Sequence, residues 1–586
     1  MKYFLSIPLI FAMLFSGCED SSSADANATE ANTIQSGDEA PKKLVPVLNL
    51  PGSDIRPFAY LKTVSLPKLM EKATATGQKL DLGPQAAMAP ALVGIALGDP
   101  GLATFDQDAP MTAFLFDDFA GEPIFLLALK LKPESPVLKQ AETLKLSVSE
   151  HDGWTLATNA PELYSQVEDW SDLLAFAEQD PEGELETGLH FAPIQGQMPK
   201  IKASAEGVLA FAPLEDNAKA DIRSILDVAL GEFTSLNAMK ASIALSEESL
   251  FLRYALSAKP NTALGKALSP SRFEGAVEAA KYVESGGWMT MVGRMDMDGF
   301  FTYWQHLSGK LGGRFQGELK DLLERFNEQS KGWTKLYDGS IAARYDVPTE
   351  PGSMSFVQVG GTKAKPEEFV AILTDYTNLF QEFFGKLDFF ESLGMKYEFK
   401  VEPGEQVEGV ATNKFLTNMT IDAAAGGPAL TELPYNHMVL LYGVVGDKYA
   451  GATDQESLAK LIQAIQTGKT VKNSLADTLP LQVGESLRIQ FDLIQYALFI
   501  LRAMPALDEG PTKELIDDLE ELDADPISGS ATAGKARISS ELNLPLSTIK
   551  ALIQFTQRQA TAEDMVPPKP DIQPESDLPS ENHKEQ

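Results

Sequence analysis

A strand-then-helix element occurs twice in this chain and constrains its fold more than any other stretch. Trp154-Thr155-Leu156-Ala157-Thr158-Asn159-Ala160-Pro161-Glu162-Leu163 aligns with Tyr449-Ala450-Gly451-Ala452-Thr453-Asp454-Gln455-Glu456-Ser457-Leu458, setting Ala157 against Ala452. Each copy reads as a strand, then Ala-Thr-Asn/Asp, then a helix with apolar residues at i and i+3/i+4. Leu163 and Val167 share a helical face in the first copy, and Leu458, Leu461, Ile462 and Ile465 do so in the second. Asn159 and Asp454 carry side-chain oxygens suited to accept from the unpaired N–H groups of a helix start.

The flanks repeat too. Phe58-Ala59-Tyr60-Leu61 before Leu66-Pro67-Lys68-Leu69-Met70 matches Trp288-Met289-Thr290-Met291-Val292 before Gly299-Phe300-Phe301. Leu189 and Leu487 open later apolar runs, and strand-like segments at Lys240 to Ser257 and Ala536 to Leu542 close the two halves. At 586 residues the chain exceeds what one core sustains, and 44 % hydrophobic content is that of a globular body. The expectation is an α+β protein of two related halves, 57–272 and 284–560, built of antiparallel sheet with packed helices. Antiparallel pairing follows from Met111 to Phe116, a turn, and Pro123 to Leu131, which read as a hairpin. Strand–cap–helix is itself a common element, so chance similarity is the competing reading. In this element alone the body is similar to large duplicated exported bacterial proteins of uncharacterised function, a similarity that carries no site residues.

The N-terminus sets the compartment. Met1-Lys2, an apolar run from Tyr3 to Phe15, and Ser16-Gly17-Cys18 have the build of a secretory signal peptide over residues 1–17. The run is too short to span a bilayer. Leu14-Phe15-Ser16-Gly17-Cys18 resembles the bacterial lipobox, which implies lipidation of Cys18 and an exported, membrane-anchored lipoprotein. Glu19 rather than Asp after the Cys points to the periplasmic face of the outer membrane. Residues 18–56 read as the lipidated Cys and a disordered polar linker, and 561–586 as a disordered Pro-rich acidic tail. Cys18 is the single cysteine, which excludes an intramolecular disulfide, a redox pair and a cysteine zinc site. A net charge of −34 disfavours nucleic acid and anionic headgroups as partners.

Several groups of residues are candidates for a site. Met289, Met291, Met295 and Met297 fall on one face if a single strand runs through them, and thioethers select Cu(I). Buried packing is the ordinary role of such methionines. Phe380, Phe383 and Phe384 lie on a helix expected from Pro366 to about Leu393, and line an apolar ligand cavity or simply fill a core. The histidines His151, His190, His306, His437 and His583 form no metal pair and no triad by spacing. Gly529 to Ala536 misses a P-loop at Ala536, and Ser547-Thr548-Ile549-Lys550 lacks the other elements of a penicillin-binding site. Asp296-Met297-Asp298-Gly299 lacks the remaining ligands of a calcium loop, and the acidic run from Asp517 to Asp525 reads as a solvated helix end. No cofactor motif is present. These readings favour a non-enzymatic binding or scaffolding lipoprotein of the envelope, whose partner is an envelope protein or a hydrophobic ligand. A lipid carrier with an apolar cavity is the second reading, and a periplasmic hydrolase the third.

Overall fold

The computed structural model describes residues 44–48, 50–52, 56–116, 124–212, 214, 216–269, 277–315, 317–330, 332–347, 355–386, 395–421, 437–482, 484–503 and 511–564. The signal peptide, Cys18, the turn at 117–123, residues 387–394 of the expected Phe-rich helix, and His583 lie outside them.

The fold is α+β, and one antiparallel sheet of 18 strands runs through it. The strands are β1 (Pro57–Thr63), β2 (Met111–Phe116), β3 (Ile124–Leu129), β4 (Ser147–His151), β5 (Trp154–Thr158), β6 (Leu185–His190), β7 (Leu236–Leu245), β8 (Ser249–Ala258) and β9 (Met289–Arg294). They continue with β10 (Ser340–Asp346), β11 (Ser355–Gly361), β12 (Met395–Val407), β13 (Val410–Ile421), β14 (His437–Val445), β15 (Lys448–Ala452), β16 (Leu487–Phe491), β17 (Ile527–Gly534) and β18 (Arg537–Pro545).

Pairing orders the first eight strands as β4-β5-β3-β2-β1-β6-β7-β8. The second set is ordered β14-β15-β11-β10-β9-β16-β17-β18, the same sequence of connections, with the β12–β13 hairpin added beside β14. The sets join edge to edge where β8 runs antiparallel to β18 from Ser249↔Pro545 to Ser257↔Arg537. Joining equivalent edges antiparallel closes two edges that would otherwise expose unpaired backbone. It also relates the sets by a two-fold direction normal to the sheet.

Register fixes which side chains share a face. One row crosses the sheet from Leu156 through Ala128, Thr112, Lys62, Glu186, Ser242, Arg253, Glu541, Ser530, Arg488, Val292, Ala342 and Val359 to Ala450. This is the core face. Its first flank packs Tyr60, Phe114, Leu126 and Leu156 against Leu163, Leu173 and Phe176 of the helices Leu163–Gln166 and Ser171–Glu178. Its second packs Val292, Ala342, Val359 and Ala450 against Leu458, Leu461 and Ile462 of the helix Gln455–Thr467.

The structure departs from the sequence expectations at several points. Ala452 lies on the core face with Ala450, whereas Ala157 lies one residue off Leu156 and points to the other face, so the two alanines are not structural equivalents. Identity aligned the motifs one residue out of phase with the pleat, and a one-residue slip exchanges faces. Asp454 does cap its helix, accepting from Ser457 N–H at 2.8 Å, but the Asn159 side chain accepts from Phe125 N–H on β3 at 3.0 Å. The segment preceding β1 is not all spacer: Val45, Leu48 and Leu50 are buried in the first core, because large apolar side chains there find a complementary surface. At the other end, the helix Leu546–Asp564 runs past residue 560.

Candidate functional site

The remaining face of the sheet carries the most distinctive chemistry of the molecule. Eleven neighbouring strands, β3, β2, β1, β6, β7, β8, β18, β17, β16, β9 and β10, direct onto it residues such as Leu127, Ala113, Leu61, Thr187, Ala241, Tyr254, Ser540, Ala531, Leu487, Gly293 and Ile341, which form one register row. Neighbouring rows add Leu115, Leu189, Met239, Ile243, Leu252, Leu256, Ile538, Leu542, Ile489, Met289 and Met291. No Asp, Glu, Lys or Arg of these strands points to this face. The charges sit on the core face instead, as the Arg253–Glu541 pair at 2.6 Å across the β8–β18 seam shows.

That polarity is unusual because the apolar face is not sealed. Leu61 is 44 % exposed, Leu115 40 % and Tyr254 38 %, and Leu127, Leu189, Met239, Ile243, Leu256, Ile538 and Ile489 are half-buried. Among the described residues, none of these belongs to a buried apolar cluster. Eleven strands at ~4.8 Å spacing make a floor about 48 Å across.

Helices stand at both strand ends of this floor. At one end, the hairpin of helices Leu66–Lys79 and Gly83–Ala96 packs Met70 and Val93 near Met111 of the open face. Beyond it the helix Leu493–Ala503 stacks Tyr496 and Phe499 on Trp288 and Phe491. Lys550, on the helix that follows β18, reaches Asp81 of that hairpin at 2.7 Å. At the opposite end stand the helices Met198–Phe211 and Asp216–Phe233 and, from the second set, the helix Met297–Gly312. Glu232 joins these, accepting from His306 at 3.0 Å, from Tyr303 at 3.2 Å and from Lys310; Arg314 pairs with Asp227. Burial pushes the Glu232 carboxyl up, but the hydrogen bonds from Lys310 and His306 outweigh it and hold it below the usual range. The result, called the trough below, is an uncharged floor bounded at both strand ends by helices.

The residues singled out in the sequence are distributed differently. Met289 and Met291 lie on the trough floor, in register with Tyr345 and Phe491 and with Ala343 and Ile489. The four-methionine face does not form: β9 ends at Arg294, and Met297 begins a helix capped by Asp296, whose carboxylate accepts from Gly299 N–H at 3.1 Å. The helix Pro366–Phe384 places Phe380 in a cluster with Leu322, Phe326 and Leu379, while Phe384 stacks on Phe380 and contacts Phe399. Phe383 meets Phe384 edge on. These rings fill helix–helix and helix–strand contacts and stand apart from the trough floor.

The four histidines among the described residues do not converge. His151 bonds Ser149 and stacks on Tyr164, His190 bonds the Pro46 carbonyl, His306 bonds Glu232, and His437 opens β14. Ser547 bonds Asp525 while Lys550 pairs with Asp81, so the Ser-x-x-Lys residues serve separate contacts. Gly529 to Ala536 forms β17 and the turn to β18. No cluster of three metal-ligating His, Cys, Asp or Glu occurs among the described residues. A cleft of about 450 Å³, lined by Pro67, Met70, Glu71, Thr74, Pro90 and Leu102, brings one carboxylate, Glu71, beside the Thr74 hydroxyl, which donates to the Met70 carbonyl at 2.8 Å.

Under the floor, on the core face, lies a buried polar cluster. Lys62, 1 % exposed, donates to the carbonyls of Phe176 (2.6 Å) and Gln179 (3.1 Å), at the end of the helix Ser171–Glu178, with its ammonium 3.7 Å from the Phe176 ring centre. Tyr60 donates to Glu186 at 2.6 Å, and Lys240 pairs with Glu186 at 3.2 Å. Burial pushes the Lys62 ammonium down to about 8, against the opposing pull of Glu186.

The sequence missed the trough because its residues come from eleven strands spread between Pro57 and Pro545. The legible signal was the inverted alternation of single strands such as Leu250-Phe251-Leu252-Arg253-Tyr254, where the charge alone marks the opposite face. No family model, no curated protein and no solved structure matches the chain.

Proposed function

We propose that this protein is a non-enzymatic binding module of the bacterial envelope, anchored through lipidated Cys18, that holds lipid acyl chains in the trough. The observation that carries this reading is an uncharged, half-exposed floor of eleven strands, on which large apolar side chains remain partly open to solvent. Monomeric proteins rarely leave contiguous apolar surface of this size open without a ligand or partner for it. Sheet backbone is already paired there, so the floor offers contact area with few hydrogen-bonding groups, which suits hydrocarbon. Each methylene laid on it and removed from water contributes about 0.8 kcal/mol. A bilayer leaflet is about 15 Å deep in hydrocarbon, so a floor ~48 Å across has room for more than one chain. Helices bound it at both strand ends, which leaves an elongated apolar strip across the strands, a shape that suits elongated small ligands. The periplasmic face of the outer membrane supplies such ligands at the anchor itself.

The test is titration of the whole protein with a fluorescent fatty acid, comparing wild type with Leu252→Gln/Leu61→Gln. Polar amides in the floor lower probe affinity about tenfold or more, and circular dichroism stays unchanged because both positions are already partly exposed. Equal affinity in both proteins, or no saturable binding by wild type, sinks the reading and returns the floor to a partner protein.

A further inference from the structure

The helices at the His190 end have a feature that the trough does not require. Helices Met198–Phe211 and Asp216–Phe233 form a hairpin whose base is fixed to the sheet. There Phe191 meets Phe233 edge on at 5.1 Å, and Gln195 donates to the carbonyls of Phe233 (3.1 Å) and Leu236 (2.8 Å). Fourteen residues of helix carry the chain ~21 Å from that base. At the far tip Phe211 is 92 % exposed and Val208 74 % exposed. With exposed Ile201 they make a stripe at i, i+7 and i+10, and the residues between them on that line, Ser204 at i+3 and Ala205 at i+4, are small. Such spacing keeps the apolar side chains on one side of the helix, and a fully exposed Phe has no structural return in water.

The occupant of this stripe is identified by where the N-terminal segment enters. The chain leading from Cys18 joins the described fold at Leu44, and the Pro46 carbonyl is bound by His190 Nε2 at 3.1 Å. His190 immediately precedes the helix Phe191–Gly196 at the hairpin base. Anchor and hairpin therefore leave the body at the same strand ends. The hairpin Leu66–Ala96, which also exposes apolar side chains, including Leu92, stands at the opposite ends. At the tip Asp216 is balanced by Lys219, whose ammonium donates to the Ala210 carbonyl at 3.3 Å, and the net charge of −34 opposes an anionic surface, leaving a zwitterionic one.

We infer that the tip of the hairpin Met198–Phe233, through Val208 and Phe211, inserts into the zwitterionic lipid surface to which Cys18 is anchored. The contact orients the body with the His190 ends of its strands toward the bilayer. It uses the anchor but not the trough.

Cys18 is the only cysteine, and lipidation blocks its sulfur as a thioether, so a cysteine placed elsewhere in the intact lipoprotein is labelled alone. The experiment labels Phe211→Cys and, separately, Leu92→Cys with an environment-sensitive fluorophore, reconstitutes each full protein in phosphatidylcholine vesicles, and adds brominated lipid as quencher. The label at 211 emits to the blue and is quenched about threefold or more beyond the label at 92. A water-like, unquenched label at 211, or equal quenching at both positions, overturns the inference. Protection of 211 only after an envelope extract is added overturns it in favour of a protein partner. Fatty-acid titration of the same variants is unaffected, so failure here and failure of the trough reading are separately visible.

Discussion

Replacing Lys62 by Met tests the buried polar cluster beneath the trough through its dependence on pH. In the fold the Lys62 ammonium is pushed down to about 8 from an ordinary value of 10.5, first by burial, with Glu186 and Asp180 pulling the other way. In the unfolded chain the lysine titrates near its ordinary value. Between these two values the unfolded state holds a proton that the folded state has released, so stability rises with pH across that window. Below about pH 8 both states are charged and the term is constant. Integrating the two titrations from pH 7 to pH 10 gives a rise of roughly 2.5 kcal/mol from this one residue. Lys62→Met removes it. At pH 7 the variant gains by losing a buried charge and loses by stranding the Gln179 carbonyl, at ~1–3 kcal/mol, while the Phe176 carbonyl keeps the Gln179 N–H at 3.2 Å, so its neutral-pH stability alone decides nothing. The decisive quantity is the difference between wild type and variant as pH rises. Urea unfolding followed by the fluorescence of Trp154 and Trp170, both in the adjoining core, measures it at pH 7, 8, 9 and 10. The gap should move by about 2.5 kcal/mol in favour of wild type. Parallel curves would refute the placement of a charged Lys62 in a dry site. Tyr60, pushed up by burial and by Glu186, titrates in the unfolded state first and lowers stability above about pH 10 in both proteins, so it cancels in the difference.

The remaining predictions concern the Glu232 cluster and one helix cap. Glu232, held below its ordinary range in the fold, adds stability that is present above pH 4.5 and is lost as the pH falls through its folded value. Glu232→Gln costs about 1–3 kcal/mol at pH 7 and flattens that acid limb, which urea titrations at pH 3 to 7 resolve. Asp454→Ala removes a helix cap and costs about 1 kcal/mol, restored by Asp454→Ser. Both are read as shifts of the thermal midpoint, and no loss on Asp454→Ala would show that the cap is replaced by water.

Much of the architecture was written in local patterns. The two apolar runs from Met111 to Phe116 and from Pro123 to Leu131, set about a short turn, read as a hairpin, and β2 and β3 pair as one, because a short connection leaves two adjacent strands little choice but each other. Asp454 announced a cap because its carboxylate needs only the next turn of its own helix. Asn159 did not behave alike, since its nearest unpaired donor belonged to β3, thirty-four residues earlier in the chain. The methionine face failed for a related reason: it assumed one strand through Met297, whereas Asp296 finds its hydrogen bond at Gly299 and starts a helix. The Phe-rich helix was legible as a helix, but its use as packing was set by Leu322, Phe326 and Phe399, which periodicity does not name.

What the sequence determined by itself is the short-range part: strands, caps, helix faces, an acidic charge balance and an N-terminus with a single cysteine. These depend on neighbours within a few residues, whose distances the covalent chain sets. What only the tertiary structure decided is the sharing of faces. The order of the strands, the antiparallel seam of β8 and β18, and the inversion that puts Arg253 and Glu541 on one face and leaves the other bare of charge all depend on register between distant segments. A shift of one residue in any of those pairings would exchange the two faces, so the trough exists only once every register is fixed.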